Sequence, residues 1–464
     1  MHADAYVGPG GLALDEARAT LARVVEVGLG FKYRTRFMAP RDDAVLDAIA
    51  TEEIPWTGCD FGELIDVNLI NADFCARGAT EMEVALVRWL RTLVGFDVAG
   101  APPATALEVG GIPTTGGTGA NFAAVLMARE RAFPGSRVGG IPPGAQPIIA
   151  LPEGIGHYTV AAAAAWAGLG NSVAVDFPVQ GYRYDLAQLD HRLGLARAQG
   201  RRVIMAVCYA GDSRTMTIEN LAGFVDVVRR HYPDAWLHCD GCHGTSLLFS
   251  RRYRGRLDGL ELFDSVMLDP HKVLSVPYTN SFLLLRSPGD AALVATESEL
   301  ILRQARSFGQ VTPATGSRSF QSLRTWMLIK SLGVEGIGQM VETRIDVAGR
   351  FAALVDDHPS FVRMNDVSIN SVAFAVVPPG ATTPFDSATA EASNDLTAKA
   401  YERMLADGAI YLHSFRLPDS ANRLGLGSAH EQTVLRFMSG NALTTDDDLA
   451  TVLGTAAVYA ASET

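Results

Sequence analysis

Between about residues 108 and 290, short apolar runs alternate with longer amphipathic segments, and this alternation limits the possible folds more than any other feature. Six of the runs are expected to be buried strands: Ile148–Leu151, Val173–Val175, Val203–Val207, Ala235–Leu237, Val266–Leu268 and Phe282–Leu285. Helical stretches lie between several of them: Asn121–Ala132, Leu186–Ala198 and Ile218–His231. The pattern predicts an α/β fold with helices on both faces of a largely parallel sheet. Ligands of such sheets bind at the carboxyl ends of the strands, so functional side chains are expected just after each strand.

The regions on either side of this segment follow other patterns. Residues 1–78 read as a mostly helical N-terminal arm, and Thr80 with Glu83 forms a capping-box pattern that predicts the start of the next helix. From about residue 346 the chain predicts a small α+β domain, with strands at Val372–Val376, Ala409–Ser414 and Val434–Met438, a helix closed by Gly408 and a last helix from about Thr445. The predicted organisation is an arm that serves dimerisation (1–78), a large ligand-binding domain (79–345) and a small C-terminal domain (346–464).

The charge and the cysteine content limit which binding partners and which cellular compartment are expected for this chain. The chain has 39 basic and 51 acidic residues, a formal charge of -12, which disfavours nucleic acid or an anionic membrane as partner. The N-terminus lacks a secretory signal, and the longest Ala-rich apolar stretch, Val160 to Gly170, is too short to span a bilayer. The 5 cysteines are odd in number and sparse. We therefore expect a cytoplasmic protein.

Two candidate sites follow the first predicted strands. The segment Thr114–Asn121 reads TTGGTGAN and opens a helix, where glycines, free N–H groups and the Thr118 hydroxyl suit a phosphate. It is neither a Walker loop nor a dinucleotide motif, and a plain strand-to-helix turn is the alternative. His157 follows the run Ile148–Leu151 and precedes an Ala-rich helix, so it is either a ligand contact or a helix cap.

Two further candidates follow later strands. The segment His238–His243 reads HCDGCH, which suggests zinc or a redox pair, but no second Cys/His cluster stands at metal-ligand spacing, so we expect no metal. Asp240 within it matters more, because a carboxylate at the end of a central strand is costly to bury without a cationic partner. Lys272 ends the segment DPHK (269–272) and is either solvated or reactive.

Taken together, the four segments supply what pyridoxal 5'-phosphate (PLP) requires. Lys272 would hold the cofactor as an imine, and Asp240 would keep the pyridine nitrogen protonated. His157 would stack on the ring, and the Gly117–Asn121 segment, with Gly117, Thr118 and Gly119, would hold the phosphate. The protonated ring is an electron sink, so Asp240 would control the electronics of the reaction.

With these motifs in place, the chain resembles the group II PLP-dependent decarboxylases, relatives of glutamate, aromatic amino-acid and diaminobutyrate decarboxylases. The likeness runs in order from about Thr80 to Leu449. It rests on these stretches: ATEMEVALVRWL (79–90), TTGGTGANFAAVLMARER (114–131), GIGHYTVAAAAAWAGLG (154–170), WLHCDGCHG (236–244), FDSVMLDPHKVLSVPY (263–278), SFQSLRTWMLIKSLGVEG (319–336) and VLRFMSGNALTTDDDL (434–449).

The resemblance implies PLP fold type I, like aspartate aminotransferase, with a mostly parallel seven-stranded sheet and an active site at the interface of a homodimer. It implies that Thr118 and His271 contact the phosphate and that Ser213 lies near the ring oxygen. It implies that Arg436 grips the α-carboxylate of an amino-acid substrate. A salt bridge is the alternative role for Arg436.

Several positions depart from the family's pattern. Gly119 stands where a polar residue is usual, Gly211-Asp212-Ser213 replaces Gly-Thr-Thr, and Cys242-His243 replaces small and aromatic residues. The family's mobile loop usually carries a Tyr that reprotonates Cα, whereas this chain has no Tyr between Tyr278 and Tyr401, and its loop, Arg303 to Gly316, is short. His243, His413 or a residue of the partner subunit are candidates to replace that Tyr.

Three functions are therefore weighed. The leading one is decarboxylation of an L-amino acid to its amine. The second is decarboxylation coupled to oxidative deamination, or another reaction at Cα or Cβ, because a carbanionic intermediate without a positioned acid lives longer. The third is a non-catalytic PLP-fold binding protein, which intact Lys272 and Asp240 argue against. Asp73 or Arg77 could select a charged substrate side chain, or either could be a surface residue.

Overall fold

The fold is described from a computed structural model, which covers residue 69 and residues 77–461 apart from 99, 101–102, 299–306, 314 and 442. The proposed N-terminal arm, with Asp73, lies outside the described residues except at Leu69 and residues 77–78. The described helices are α1 (Arg77–Val94), α2 (Gly116–Ala132), α3 (Ser136–Gly139), α4 (Tyr158–Trp166), α5 (Leu186–Ala198), α6 (Leu221–His231), α7 (Ser322–Asp357), α8 (Ser387–Asp407) and α9 (Asp446–Ala461).

Seven strands form one sheet, in the order β1-β9-β8-β7-β6-β2-β3. Their bounds are β1 (Gly111–Thr114), β2 (Pro147–Pro152), β3 (Ala174–Phe177), β6 (Arg202–Tyr209), β7 (Trp236–Asp240), β8 (Ser265–Leu268) and β9 (Ser281–Leu285). A two-stranded ribbon, β4 (Val179–Gln180) and β5 (Arg183–Tyr184), stands apart from it. The strands β8, β7, β6, β2 and β3 are parallel to one another, and β9 is antiparallel to both of its neighbours, β8 and β1. The predicted mostly parallel sheet is confirmed.

The central strands are buried along their whole length, because helices cover both faces of the sheet. Every residue of β2, β7, β8 and β9 is buried, which explains why these strands read as continuous apolar runs rather than as alternating ones. All six predicted strands are present. The strand β1 was not predicted, because it is short and contains Pro113; it pairs only with β9, and an edge position tolerates proline.

Two predicted helix starts are wrong. The helix α1 begins at Arg77, so Thr80 lies inside it and does not cap it; the Glu83 carboxylate instead binds Arg318 and Ser322. The helix α2 begins at Gly116, so the glycine-rich segment forms its first turn. Local sequence resembles a cap at both places, but tertiary contacts of the same side chains decide the boundary.

A second sheet has the order β10-β11-β13-β12 and is antiparallel throughout. Its strands are β10 (Phe361–Arg363), β11 (Ser371–Val376), β12 (His413–Pro418) and β13 (Glu431–Met438). The strand predicted at Ala409–Ser414 is misplaced, since pairing with β13 starts only at His413. Gly408 ends α8 in the left-handed conformation (φ 70°), as expected for a helix C-cap.

The helix α7 joins the two cores, because its two halves pack against different sheets. Ile337 and Val341 belong to the core around the seven-stranded sheet, whereas Phe351 and Val355 belong to the core of the second sheet. The proposed domain boundary at residue 345 falls within this helix and stays a prediction. Among the described residues, no helix combines the length and apolar character needed to cross a bilayer.

Two glycines of α7 offer a matched test of how closely this helix packs. A Cβ at Gly338 would clash with the carbonyl oxygen of Phe249, whereas a Cβ at Gly349 meets no atom within 4 Å. We expect Gly338→Ala to lower the free energy of unfolding by about 1–3 kcal/mol through overpacking. Gly349→Ala should raise it by about 0.5–1 kcal/mol, because alanine favours helix. Urea denaturation of both variants checks this, and equal effects would contradict the close approach of α7 to Phe249.

Candidate functional site

The carboxyl ends of the parallel strands bring together side chains from distant parts of the sequence. Asp240 is the last residue of β7, which lies between β6 and β8. Lys272 follows β8, and His157 follows β2. The site therefore lies where the fold class predicts it, at the edge formed by the ends of β2, β6, β7 and β8.

The Asp240 carboxylate is buried, with 1% of the residue exposed. Its Oδ1 accepts from the backbone N–H of Cys242 at 3.3 Å, and its Oδ2 accepts from Nδ2 of Asn121 at 3.3 Å. Both contacts are long and leave lone pairs unused, since a carboxylate has about four acceptor positions. The carboxylate is thus positioned by the protein but has room for a further donor.

Asn121 lies at the centre of a hydrogen-bond network that orients this carboxylate. Its Nδ2 also donates to the Thr159 hydroxyl at 2.9 Å, and its Oδ1 accepts from Nε2 of His238 at 2.9 Å. Nδ1 of His238 accepts from Ser265, whose oxygen in turn accepts from the Trp236 indole N–H at 2.7 Å. Burial lowers the pKa of His238 to about 4, so this ring is neutral. Asn121, Thr159 and His238 were not predicted as positioning residues, because nothing local marks them as partners.

His157 has one of the roles that the sequence left as alternatives, that of a helix cap. It is the N-cap of α4, where its Nδ1 accepts from the backbone N–H of Thr159 at 3.3 Å and from the Thr159 hydroxyl at 2.7 Å. The same contacts leave the N–H on Nε2 and fix the plane of the ring. Burial lowers the pKa of His157, although Asp240 opposes that shift. The ring also stacks on Tyr158 with centroids 4.8 Å apart.

Lys272 lies among acidic and polarisable groups. Its Nζ is 3.3 Å from Oδ2 of Asp269, and the Cys242 thiol lies close enough to influence its pKa. Burial disfavours the ammonium form, but Cys242, Asp269 and Asp240 together raise the pKa of Lys272 above its usual value. Neither oxygen of Asp269 accepts a hydrogen bond from the described residues, so this buried carboxylate acts on Lys272 through its charge.

The glycine-rich segment approaches the end of β8 closely. A Cβ at Gly117 would lie 2.9 Å from Oδ2 of Asp269 and 2.9 Å from Sδ of Met267, so a larger residue there would force these side chains to shift. Thr118 and Gly119 are partly exposed in the first turn of α2, where backbone N–H groups are free. Nδ1 of His271 accepts from the backbone N–H of Asn280 at 3.0 Å, which places the N–H on Nε2, 3.6 Å from Oδ2 of Asp269.

Arg436 comes from β13 of the second sheet and reaches the turn after β6. Its Nη1 donates to the carbonyl oxygens of Ser213, at 2.6 Å, and Arg214, at 3.2 Å. Its Nε is buried without a hydrogen-bond partner among the described residues, and no described carboxylate pairs with it. Burial lowers the pKa of Arg436 to about 10. A buried guanidinium with an unused N–H is suited to bind an anionic ligand.

The cysteines of the HCDGCH segment point to different places. Cys239 is buried within the sheet, where it lies opposite Cys208 of β6, whereas Cys242 lies near Lys272. In the part of the chain that the structure describes, no group of three or more His, Cys, Asp or Glu could hold a metal ion. Of the loop from Arg303 to Gly316, residues 303–306 and 314 lie outside the described residues, and so does the side chain of Arg77.

Comparison with known proteins agrees with this geometry. The family described as "Pyridoxal-dependent decarboxylase conserved domain" matches residues 65–377. The chain is 29% identical over 338 residues to L-2,4-diaminobutyrate decarboxylase of Acinetobacter baumannii, which covers 68% of this chain and 64% of that protein. It is 28% identical to human cysteine sulfinic acid decarboxylase, over 64% of this chain and 59% of that protein. The chain thus spans about three fifths of the length of these relatives.

The fold is also that of solved structures. The crystal structure of Oryza sativa TDC with PLP and tryptamine superposes with a TM-score of 0.76 at 18% identity, over 98% of this chain and 99% of that chain. The predicted fold class, PLP fold type I with a mostly parallel seven-stranded sheet, is confirmed.

The neutral state of His238 makes stability depend on pH. The unfolded chain binds a proton at this residue below a pH of about 6.5, whereas the folded protein does so only near pH 4. The stability is therefore complete above pH 6.5 and falls as the pH drops towards 4, by about 3 kcal/mol. We expect His238→Asn to flatten the pH dependence of the unfolding free energy in this range, while the exposed His191→Asn leaves it unchanged. Equal slopes for the wild type and His238→Asn would refute a neutral His238.

Proposed function

The chain belongs to the pyridoxal-dependent decarboxylase family, and from this premise we propose that it removes carbon dioxide from an L-amino acid and releases the amine. The observation that carries the proposal is that three groups converge at one edge of the sheet: the amine of Lys272, the buried carboxylate of Asp240, which has unused acceptor positions, and the half-buried ring of His157. Arg436 adds a buried guanidinium that has no carboxylate partner among the described residues.

The residues at this edge fit PLP. The free N–H groups and the close backbone approach at Gly117, with Thr118, Gly119 and His271 beside them, suit its phosphate. The unused lone pairs of Asp240 suit a protonated pyridine nitrogen, and His157 presents a ring whose plane is fixed. Ser213 has its carbonyl oxygen committed to Arg436, so only its side chain is free to approach the ring oxygen.

The cofactor, when bound, supplies an electron sink for the pair left at Cα when the carboxylate departs. Asp240 would hold the proton on the ring nitrogen that makes this sink effective. Asn121 would keep Asp240 in that orientation. Lys272 would anchor the cofactor, with Asp269 stabilising its ammonium form beforehand.

Arg436 would bind the substrate α-carboxylate. The carbonyl oxygens of Ser213 and Arg214 hold one end of the guanidinium, and the Phe415 ring lies 5.1 Å from its centre. These contacts fix the direction of the remaining N–H groups. A planar guanidinium binds a carboxylate through two N–H groups, and so more specifically than the single charge of an ammonium group does. Selection of the substrate side chain is left to residues outside this set.

We further propose a homodimer with its active sites at the interface. Two large aromatic side chains beside the site are exposed in the single chain, Tyr158 at 75% and Tyr278 at 63%, and each stacks on a site histidine. Trp166, at the end of α4, is also exposed at 61%. A partner that covers these surfaces would complete the wall of the site.

The second candidate function is decarboxylation with oxidative deamination. Its support is the absence of any Tyr between Tyr278 and Tyr401, which removes the family's usual acid at Cα. Oxygen uptake with release of aldehyde, ammonia and peroxide would favour it over simple decarboxylation.

A cytoplasmic location is supported by the cysteines. Cys208 and Cys239 face each other on adjacent strands and yet are free, as expected in a reducing compartment. Cell fractionation tests this proposal, and recovery in an exported fraction would count against it.

Two substitutions separate cofactor attachment from substrate binding. Lys272→Ala should abolish the visible absorption of the bound cofactor and lower carbon dioxide release by at least about 10³-fold. Arg436→Lys should keep that absorption but lower kcat/KM by about 10²-fold, mainly through KM. The exposed Lys330→Ala and Arg416→Lys, on α7 and β12, are matched controls. Release of carbon dioxide from a panel of L-amino acids is the assay, and no release from any of them would refute the proposed reaction.

The dimer can be tested at Trp166. We expect the wild type to sediment as a dimer and Trp166→Glu to sediment as a monomer that binds PLP more weakly. The substitution would bury a charge in an apolar interface, and the free energy lost by burying it would exceed the free energy that the contact provides. A monomeric wild type that retains full activity would contradict an interface site.

A further inference from the structure

His243 is a buried histidine at the site, to which the reaction proposed above assigns no role. It follows Cys242 just after β7, and 6% of the residue is exposed. Its Nδ1 lies 3.3 Å from the carbonyl oxygen of Gly211 and 3.1 Å from Sγ of Cys242. No described residue contacts its Nε2 with a hydrogen bond.

These contacts determine which nitrogen carries the proton. A carbonyl oxygen only accepts, so the contact with Gly211 places the hydrogen on Nδ1, and the Cys242 sulfur can then only accept from the same N–H. The approach is close because residue 211 is glycine: a Cβ there would lie 3.3 Å from Cβ of His243 and 2.6 Å from Cδ1 of Ile369. Nε2 therefore carries the free lone pair.

A continuous series of contacts places His243 between the two ends of the proposed substrate site. Lys272 lies near Cys242, and both Lys272 and Arg436 are close enough to lower the pKa of His243; the Cys242 thiol contacts the His243 ring. His243 in turn contacts Gly211, and the same turn, through the carbonyl oxygens of residues 213 and 214, holds Arg436. One end of this series would hold the cofactor and the other the α-carboxylate, so the substrate Cα must lie between them.

We propose that Nε2 of His243 takes the proton that the substrate α-ammonium group must lose and returns it to Cα after carbon dioxide has left. This inference rests on the proposed decarboxylation. The N–H bond of the ammonium group breaks as an H–Nε2 bond forms, and the bond from Cα to the carboxylate then breaks with its electron pair left at Cα. The H–Nε2 bond finally breaks as a C–H bond forms, so the substrate's own proton is moved and none is consumed.

The surrounding charges explain why the proton must arrive with the substrate. The cationic groups Lys272 and Arg436, together with His157, act on the ring, and the neighbouring Cys242 is a thiol whose pKa is raised by burial. Burial, then Lys272 and Arg436, lower the pKa of His243 well below its usual value. The resting ring is therefore neutral, and it can hold a proton only when the substrate carboxylate has neutralised Arg436. It becomes an acid only after it has received the ammonium proton, beside a substrate that has neutralised Arg436.

The other histidine candidate has a less suitable position. His413 is exposed at the start of β12, and its ring packs near Phe415 with centroids 5.9 Å apart. It lies opposite Arg436 in the sheet register, and none of its hydrogen bonds or ring contacts in the described part of the chain is with Cys242 or the turn at Gly211. His413→Asn is thus a matched control for the same substitution at His243.

The test uses the holoenzyme, the amine product and deuterium oxide. The wild type should exchange one Cα hydrogen of the amine, which is the reverse of the final proton transfer. His243→Asn keeps a donor near the Nδ1 position but removes Nε2, so exchange and amine formation should fall by about 10²-fold or more, with more aldehyde among the products. His243→Gln, which places an amide near the Nε2 position, should bind the amine with the wild-type change in absorption without restoring exchange. Exchange within about twofold of the wild type in His243→Asn would overturn the proposal.

A second measurement does not depend on activity. Histidine labelled with ¹⁵N in the protein without cofactor should show a ring with the proton on Nδ1, and this signal should be missing from His243→Asn or His243→Gln but present in His413→Asn. A proton on Nε2 in the resting state would overturn the proposal even if both variants were poorly folded. If the wild type released no carbon dioxide while the ring had the expected tautomer, the proposed reaction would fail rather than the geometry of His243.

Discussion

The buried carboxylate of Asp240 is the group on which the rest of the site depends. It lies at the end of β7, inside the sheet, where an unpaired charge is costly. From the described part of the chain, two long hydrogen bonds reach it, and it lies close enough to Lys272 for their charges to interact. The fold fixes the position of the carboxylate but leaves some of its hydrogen-bond acceptor positions unused. Such a group is suited to bind a cationic ring nitrogen.

The hydrogen bonds around Asp240 extend from the seven-stranded sheet into the helices α2 and α4. Asn121 of α2 connects it to His238 within the sheet and to Thr159 of α4, and Thr159 in turn orients His157. Only one assignment of donors and acceptors satisfies every member of this network. In that assignment Nε2 of His238 donates and Nδ1 of His157 accepts. A network with a single consistent arrangement rigidifies the groups around the cofactor.

A second series of contacts, from Lys272 through Cys242, His243 and the turn at Gly211 to Arg436, crosses from the first sheet to the second. It is built largely from the positions that depart from the family's pattern. The departures are thus grouped in space, in contact with one another, rather than scattered over the surface. This grouping favours a changed proton path in an active enzyme over the loss of function that a non-catalytic protein would show.

The sequence by itself determined the fold class, the positions of the buried strands along the chain and a set of candidate side chains, because continuous apolar runs and short motifs at strand ends are local properties. It did not determine where α1 and α2 begin, where β12 begins, or that β1 and β10 exist, since pairing partners and distant side chains decide these. Only the tertiary structure decided that Asn121 orients Asp240, that Cys242 lies near Lys272 and that no carboxylate among the described residues pairs with Arg436. Such contacts join residues far apart in the chain, and a hydrogen bond depends on distances of a few tenths of an ångström, which no local pattern specifies.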